Sequence, residues 1–129
     1  MSERTRRLLA WGPAAAYMLL IWGMSSFVPN VDFSRVPFHD KGIHFMEYGT
    51  LAVLLSHALH GTWRAWRPLA MFASAVALTV LWGITDEIHQ AFVPGRSSDV
   101  HDVMADAIGA LAGAAAYLAL RAQLRSRAG

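Results

Sequence analysis

Residues 8–28, Leu8-Leu9-Ala10-Trp11-Gly12-Pro13-Ala14-Ala15-Ala16-Tyr17-Met18-Leu19-Leu20-Ile21-Trp22-Gly23-Met24-Ser25-Ser26-Phe27-Val28, form a run of 21 residues without one charge. As a helix rising about 1.5 Å per residue it is roughly 31 Å long, close to a hydrocarbon core of about 30 Å. In water such a run would need a large protein around it, and a chain of 129 residues is too short to supply one. Composition agrees: 16 % of the residues are charged, against roughly 25 % in soluble domains. The Arg4, Arg6, Arg7 cluster ahead of the run would also suit a signal peptide, but a signal h-region is only about 7–15 residues long. Further apolar spans follow, so the run reads as an uncleaved first helix. Cysteine is absent, which excludes disulfides, thiolate metal sites and a cysteine nucleophile.

Working outward, a second apolar span covers about Asp40 to His60, with polar first turns (Asp40, Lys41, His44, Glu47) and a hydrocarbon second half from Leu51 to Leu59. A third starts at Pro68, a natural first helical position, and is stopped by Pro94-Gly95. A fourth begins near Ser98 or Asp99, either of which can cap it. The connections are short, which favours antiparallel neighbours. The expected fold class is therefore all-α: one polytopic membrane domain over residues 1–129, with four antiparallel transmembrane helices at about 8–28, 40–60, 68–93 and 99–121.

Arginine placement orients it. Arg4, Arg6, Arg7, Arg64, Arg67, Arg121, Arg125 and Arg127 fall on one side of four crossings, and only Arg35, Lys41 and Arg96 on the other. The positive-inside rule then puts both termini in the cytoplasm. His57, His60, Trp11, Trp63 and Trp66 read as interfacial residues on that side. Of the nine acids, only Glu3 is cytoplasmic. The other eight (Asp32, Asp40, Glu47, Asp86, Glu87, Asp99, Asp102, Asp106) gather at the outer boundary. Acids contribute little to topology, so insertion does not explain them.

Helical spacing aligns the outer polar residues. Lys41, His44 and Tyr48 share a face of the second helix, flanked by Asp40 and Glu47. Asp86 lies one turn from both His89 and Gln90 on the third. On the fourth, Asp102, Asp106, Gly109 and Gly113 form one stripe, and the glycines make a small-xxx-small seam that admits a close neighbour. The two aspartates continue that seam and should point into the bundle, with Lys41, Arg96 and His44 as the available partners. A plainer reading treats Asp99 as a cap, Asp32, Arg35 and His39 as solvated loop, and Asp86, Glu87, Asp102 and Asp106 as a network serving stability. A functional pocket is the reading preferred for those last four.

Two blocks resemble the VanZ-like family of bacterial membrane proteins, named for a teicoplanin-resistance protein. Asp40-Lys41-Gly42-Ile43-His44-Phe45-Met46-Glu47-Tyr48 is similar to its D-K-x-x-H-F-x-x-Y element. Asp86-Glu87-Ile88-His89-Gln90-Ala91-Phe92-Val93-Pro94-Gly95-Arg96, followed by Asp99, Asp102, Asp106 and Gly109, is similar to its D-E-x-x-Q-x-F-x-P-x-R element and trailing acidic residues. Asp106 departs from the pattern, which more often has asparagine there. The resemblance implies a multi-pass protein of the bacterial cytoplasmic membrane and a link to teicoplanin tolerance. It implies no firmly known reaction. The phosphotransbutyrylase label attached to the family does not suit this chain, which has no Gly-rich phosphate loop and no nucleophile beside a base.

Three functions compete. In the first, the site binds or modifies a lipid-linked envelope precursor at the outer leaflet. Lys41 and Arg96 would grip a phosphate or carboxylate, with Tyr48, Gln90, Asp40, Asp102 and Asp106 as further binding residues. Asp86, Glu87 or His44 would move a proton. In the second, the same pocket holds a glycopeptide, a lipid headgroup or another membrane protein without chemistry. In the third, a homo-oligomer forms a transport path. No cofactor motif is evident and no nucleic-acid partner is expected. A divalent metal is left open, with Asp86, His89, Asp102 and Asp106 as candidate ligands.

Overall fold

The computed structural model describes residues 1–28 and 39–129. Asp32 and Arg35, read above as solvated loop, lie outside the described residues. Those described form four helices and no strand: α1 (Glu3–Ser25), α2 (His39–Thr62), α3 (Pro68–Ala91) and α4 (Val100–Ala128). Three of them, α1, α3 and α4, are long and apolar enough to cross a membrane. The polar opening of α2 keeps it out of that set.

Local chemistry sets the ends. α1 begins inside the charged segment because the Ser2 hydroxyl accepts from the Thr5 amide at 3.1 Å and Glu3 pairs with Arg6 and Arg7 one turn on. It stops at Ser25, three residues short of the apolar run's end. Pro68 opens α3, and turns from Phe92 to His89 and from Val93 to Gln90 close it. Gly95 then takes a φ of +84°, a left-handed conformation that favours glycine. The Asp99 carboxylate caps α4 by accepting from the His101 amide at 2.9 Å. α4 continues past residue 121 to Ala128, with Arg125 and Arg127 in its last turn, where cations complement the helix dipole.

α2 and α3 form the middle of the bundle, each packed on all the other helices, whereas α1 and α4 do not meet. The α2–α4 contact is backbone on backbone. A Cβ built at Gly109 would stand 2.3 Å from the Phe45 carbonyl oxygen. The expected glycine seam is thus occupied by α2. Lys41 meets Asp102, His44 meets Asp106 and His57 meets Tyr117, so α2 and α4 run in the same sense. At the start of α1, Trp11 donates to Thr62 at the end of α2 at 2.8 Å.

Polarity is inverted relative to a water-soluble bundle. Leu8, Leu19, Leu69, Leu81, Ile88, Met104, Ile108 and Leu120 point outward, while His44, Thr79, Asp86, Glu87, Gln90, Asp102 and Asp106 are buried. Large outward apolar surface belongs against hydrocarbon, and ionisable groups in such a protein belong inside, paired with one another. Small side chains (Ala52, Ala75, Ala110, Ala114) with Leu59 and Met71 fill one half of the core; Ala14, Ile21, Leu51 and Leu55 surround Tyr48 in the other.

Candidate functional site

The polar residues at one end of the bundle divide into two adjoining networks, because α3 presents different faces to α4 and to α1.

The first lies between α2 and α4. Lys41 Nζ donates to Asp102 Oδ1 and, at 3.0 Å, to Asp99 Oδ2. The Lys41 side chain is one-third exposed and that of Asp102 only 7 %, so the lysine stands at the mouth. One turn deeper, His44 Nδ1–H donates to Asp106 Oδ1 at 2.9 Å, and Nε2 faces Asp102 Oδ2 at 3.7 Å. The imidazole lies parallel to the Tyr48 ring, with centroids 6.2 Å apart. Asp106 is fully buried, and a Cβ built at Gly83 would stand 2.7 Å from its Oδ2. A side chain at 83 would force this carboxylate to shift.

Glu87 joins α3 to this network. Its Oε2 accepts from the Ser98 hydroxyl at 3.1 Å and the Asp99 amide at 3.0 Å. Glu87 Oε1, Asp106 Oδ2 and the Tyr48 hydroxyl are buried without a hydrogen-bond partner among the described residues. Asp99, outside the helices, has its carboxyl held well below the usual carboxylate range by the His101 amide first and then by Lys41.

The second network lies between α3 and α1. Asp86 Oδ1 accepts from the Ser25 hydroxyl at 2.6 Å, and Oδ2 from the Gln90 amide at 3.0 Å. His89 hydrogen-bonds Ser26 at 2.9 Å and stacks on Trp22 with centroids 3.9 Å apart. Arg96 Nε–H donates to the Ser25 carbonyl at 3.2 Å.

Several placements differ from expectation. Arg96, read as an available partner for Asp102 and Asp106, has no carboxylate within 4.0 Å among the described residues; it holds the end of α1 instead. Asp40 stands outside the buried cluster, 58 % exposed and 3.7 Å from Lys41. Of the four candidate metal ligands, Asp86 and His89 are committed to Ser25, Gln90 and Ser26. The group whose ligand atoms lie within 4.8 Å of one another is His44, Glu87 and Asp102, with Asp106 behind the histidine. Spacing within helices missed the contribution of α1. Its signal was the Ser25-Ser26 pair closing an otherwise hydrocarbon run.

A cavity of about 630 Å³ at the opposite end of the bundle is lined by Arg6, His57, His60, Arg64, Tyr117 and Arg125 among others. The residues that line it include two histidines and several arginines but no carboxylate, so the carboxylates that pair with a histidine or lysine in the two networks stand at the first end. No curated protein sequence and no solved structure matches the chain. Residues 5–121 match the family model described as VanZ/LLP1, and that span includes both networks. The chain belongs to the VanZ/LLP1 family.

Proposed function

We propose that this VanZ-like membrane protein crosses the bacterial cytoplasmic membrane four times with both termini inside. Its polar end would then lie at the outer face, where it binds the headgroup of a lipid-linked envelope precursor and so contributes to teicoplanin tolerance. The observation that carries this reading is the convergence of buried ionisable side chains from α2, α3 and α4, joined by Ser25 of α1, at one end of a bundle whose outside is hydrocarbon. Intramembrane charges are costly and mark binding or transfer sites. Lys41 and Arg96, only partly covered, supply cations at the rim for a phosphate or carboxylate.

Contacts support the topology. Trp11 on Thr62 and Arg121 on His60 gather both termini and the Arg64, Arg67 link at one end, which the positive-inside rule assigns to the cytoplasm. The polar turns of α2 spend themselves on α4, so its low hydropathy does not oppose a crossing. A reporter fused after Gly129 should read cytoplasmic and one inserted at 94–98 external; an external C-terminus would overturn the topology.

A second reading is a structural network without ligand, favoured by the mutual satisfaction of Ser25, Asp86 and Gln90. Teicoplanin susceptibility of cells carrying Lys41→Gln or Asp102→Asn, with protein levels measured in parallel, separates the two. Loss of tolerance at normal levels supports headgroup binding. Unchanged tolerance at normal levels leaves only the structural network.

A further inference from the structure

The geometry points to a divalent metal site formed by His44, Glu87 and Asp102, with Asp106 as the residue that positions His44. It does not depend on the identity of the headgroup.

Three observations carry it. First, ligand atoms of these residues, brought from α2, α3 and α4, all lie within 4.8 Å of one another, and all three residues are buried. Ligands of a four-coordinate ion at about 2.0–2.2 Å stand roughly 3–3.5 Å apart. The 3.7 Å between His44 Nε2 and Asp102 Oδ2 is near that spacing and too long for a hydrogen bond. Second, Glu87 is 4 % exposed and its Oε1 is without a partner among the described residues, while Oε2 is occupied by Ser98 and the Asp99 amide. A buried carboxylate oxygen left unsatisfied is costly unless something positive meets it. Third, the Nδ1–H bond to Asp106 fixes His44 with Nε2 facing the Asp102 carboxylate. A carboxylate behind a histidine, setting its tautomer and raising its basicity, is the usual support of a metal-ligating imidazole.

Charge agrees. Among the described residues Lys41 is the only lysine or arginine within 4.0 Å of this group of carboxylates (Asp99, Asp102, Asp106, Glu87). A dication removes most of the remaining repulsion in a medium where it is poorly screened. One nitrogen and two carboxylate oxygens suit Zn²⁺ or Mn²⁺, and three protein ligands leave a coordination position for water or a ligand oxygen.

The test uses the full chain purified in detergent, stripped with chelator and titrated with Zn²⁺ or Mn²⁺ alone. One Zn²⁺ per chain should be retained through gel filtration and should raise the thermal unfolding midpoint. Glu87→Gln should abolish both effects, Asp106→Asn should weaken binding about 10–100-fold, and the exposed-site variant His101→Ala should leave it unchanged. Bound Mn²⁺ should show coupling to one imidazole nitrogen in its electron spin-echo modulation. Absence of saturable binding, retention of the metal by Glu87→Gln, or loss only with His101→Ala overturns the site. If Glu87→Gln does not accumulate, the nitrogen coupling in the wild-type protein decides: its absence means His44 serves as an imidazolium between Asp102 and Asp106.

Discussion

Gly113 of α4 rests on the carbonyl of Gly49 of α2 so closely that a Cβ built at Gly113 would lie 2.1 Å from that oxygen. The obstacle is backbone, which cannot rotate away, so any side chain at 113 must move one helix against the other. Because the same seam sets the distance from Lys41 to Asp102 and from His44 to Asp106, its geometry reaches the polar site. Gly113→Leu should destabilise the protein by at least about 1–3 kcal/mol, the usual cost of overpacking, and Gly113→Ala should already be measurable. Unfolding in mixed detergent reads this directly; unchanged stability of Gly113→Leu would contradict the seam.

The bond from Ser25 to Asp86 ties α1 to the site. Ser25→Ala leaves Asp86 Oδ1 buried without that donor, at a cost of about 1–3 kcal/mol. Among the helices, α1 packs on α2 and α3 alone, so the loss should appear as loosened docking of its outer half. Proteolysis or hydrogen exchange near Trp22 should increase while the α2–α4 amides stay protected. Equal loosening of all helices would mean that the bond serves global stability alone.

What could be read in advance depended on how local the signal was. Pro68, the Pro94-Gly95 stop and the Asp99 cap act within a turn of their own backbone, and the observed ends follow them. The stripe of Asp102, Asp106, Gly109 and Gly113 was also legible, because spacing alone tells which residues share a helix face. Spacing does not tell which neighbour that face meets. On α3, Gly83 and Glu87 turn to α4 while Asp86, His89 and Gln90 turn to α1, so Asp86 and His89 looked like metal ligands beside Asp102 when they belong to the other network. Arg96 follows a turn, and its partner depends on where α1 ends.

Asp99 gives a pH test. Its carboxyl is held below its ordinary value of 3.8 in the folded protein, so folding favours the ionised form. That stabilisation is complete above 3.8 and is lost only as pH falls from there toward the depressed folded value. Asp99→Ala should therefore lower the thermal midpoint by a constant amount between about pH 5 and pH 8, and the gap should narrow only below about pH 3. Fraying of the first turn of α4, read by exchange of the His101 and Asp102 amides, should accompany it. A gap that already closes near pH 6 would place another group in charge.

Arg96 separates recognition from structure most sharply. Its Nε–H holds the Ser25 carbonyl at 3.2 Å, and no carboxylate among the described residues lies within 4.0 Å of it. The planar guanidinium can keep that bond through Nε and present its two terminal nitrogens to a phosphate or carboxylate together. A lysine reaches one acceptor or the other, as a point charge without the fork. If the fork recognises a headgroup, Arg96→Lys should weaken binding of an anionic lipid-linked precursor at least about tenfold, roughly 1.4 kcal/mol, and raise teicoplanin susceptibility. Thermal stability and membrane levels should stay near wild type. Arg96→Ala should lose binding and also loosen α1, because the Ser25 contact goes with it. Asp102→Asn should not rescue Arg96→Ala, since the two residues do not touch. Precursor binding in nanodiscs and susceptibility with expression measured in parallel check all three variants. Full tolerance of Arg96→Lys would make Arg96 a clamp on the end of α1 and nothing more.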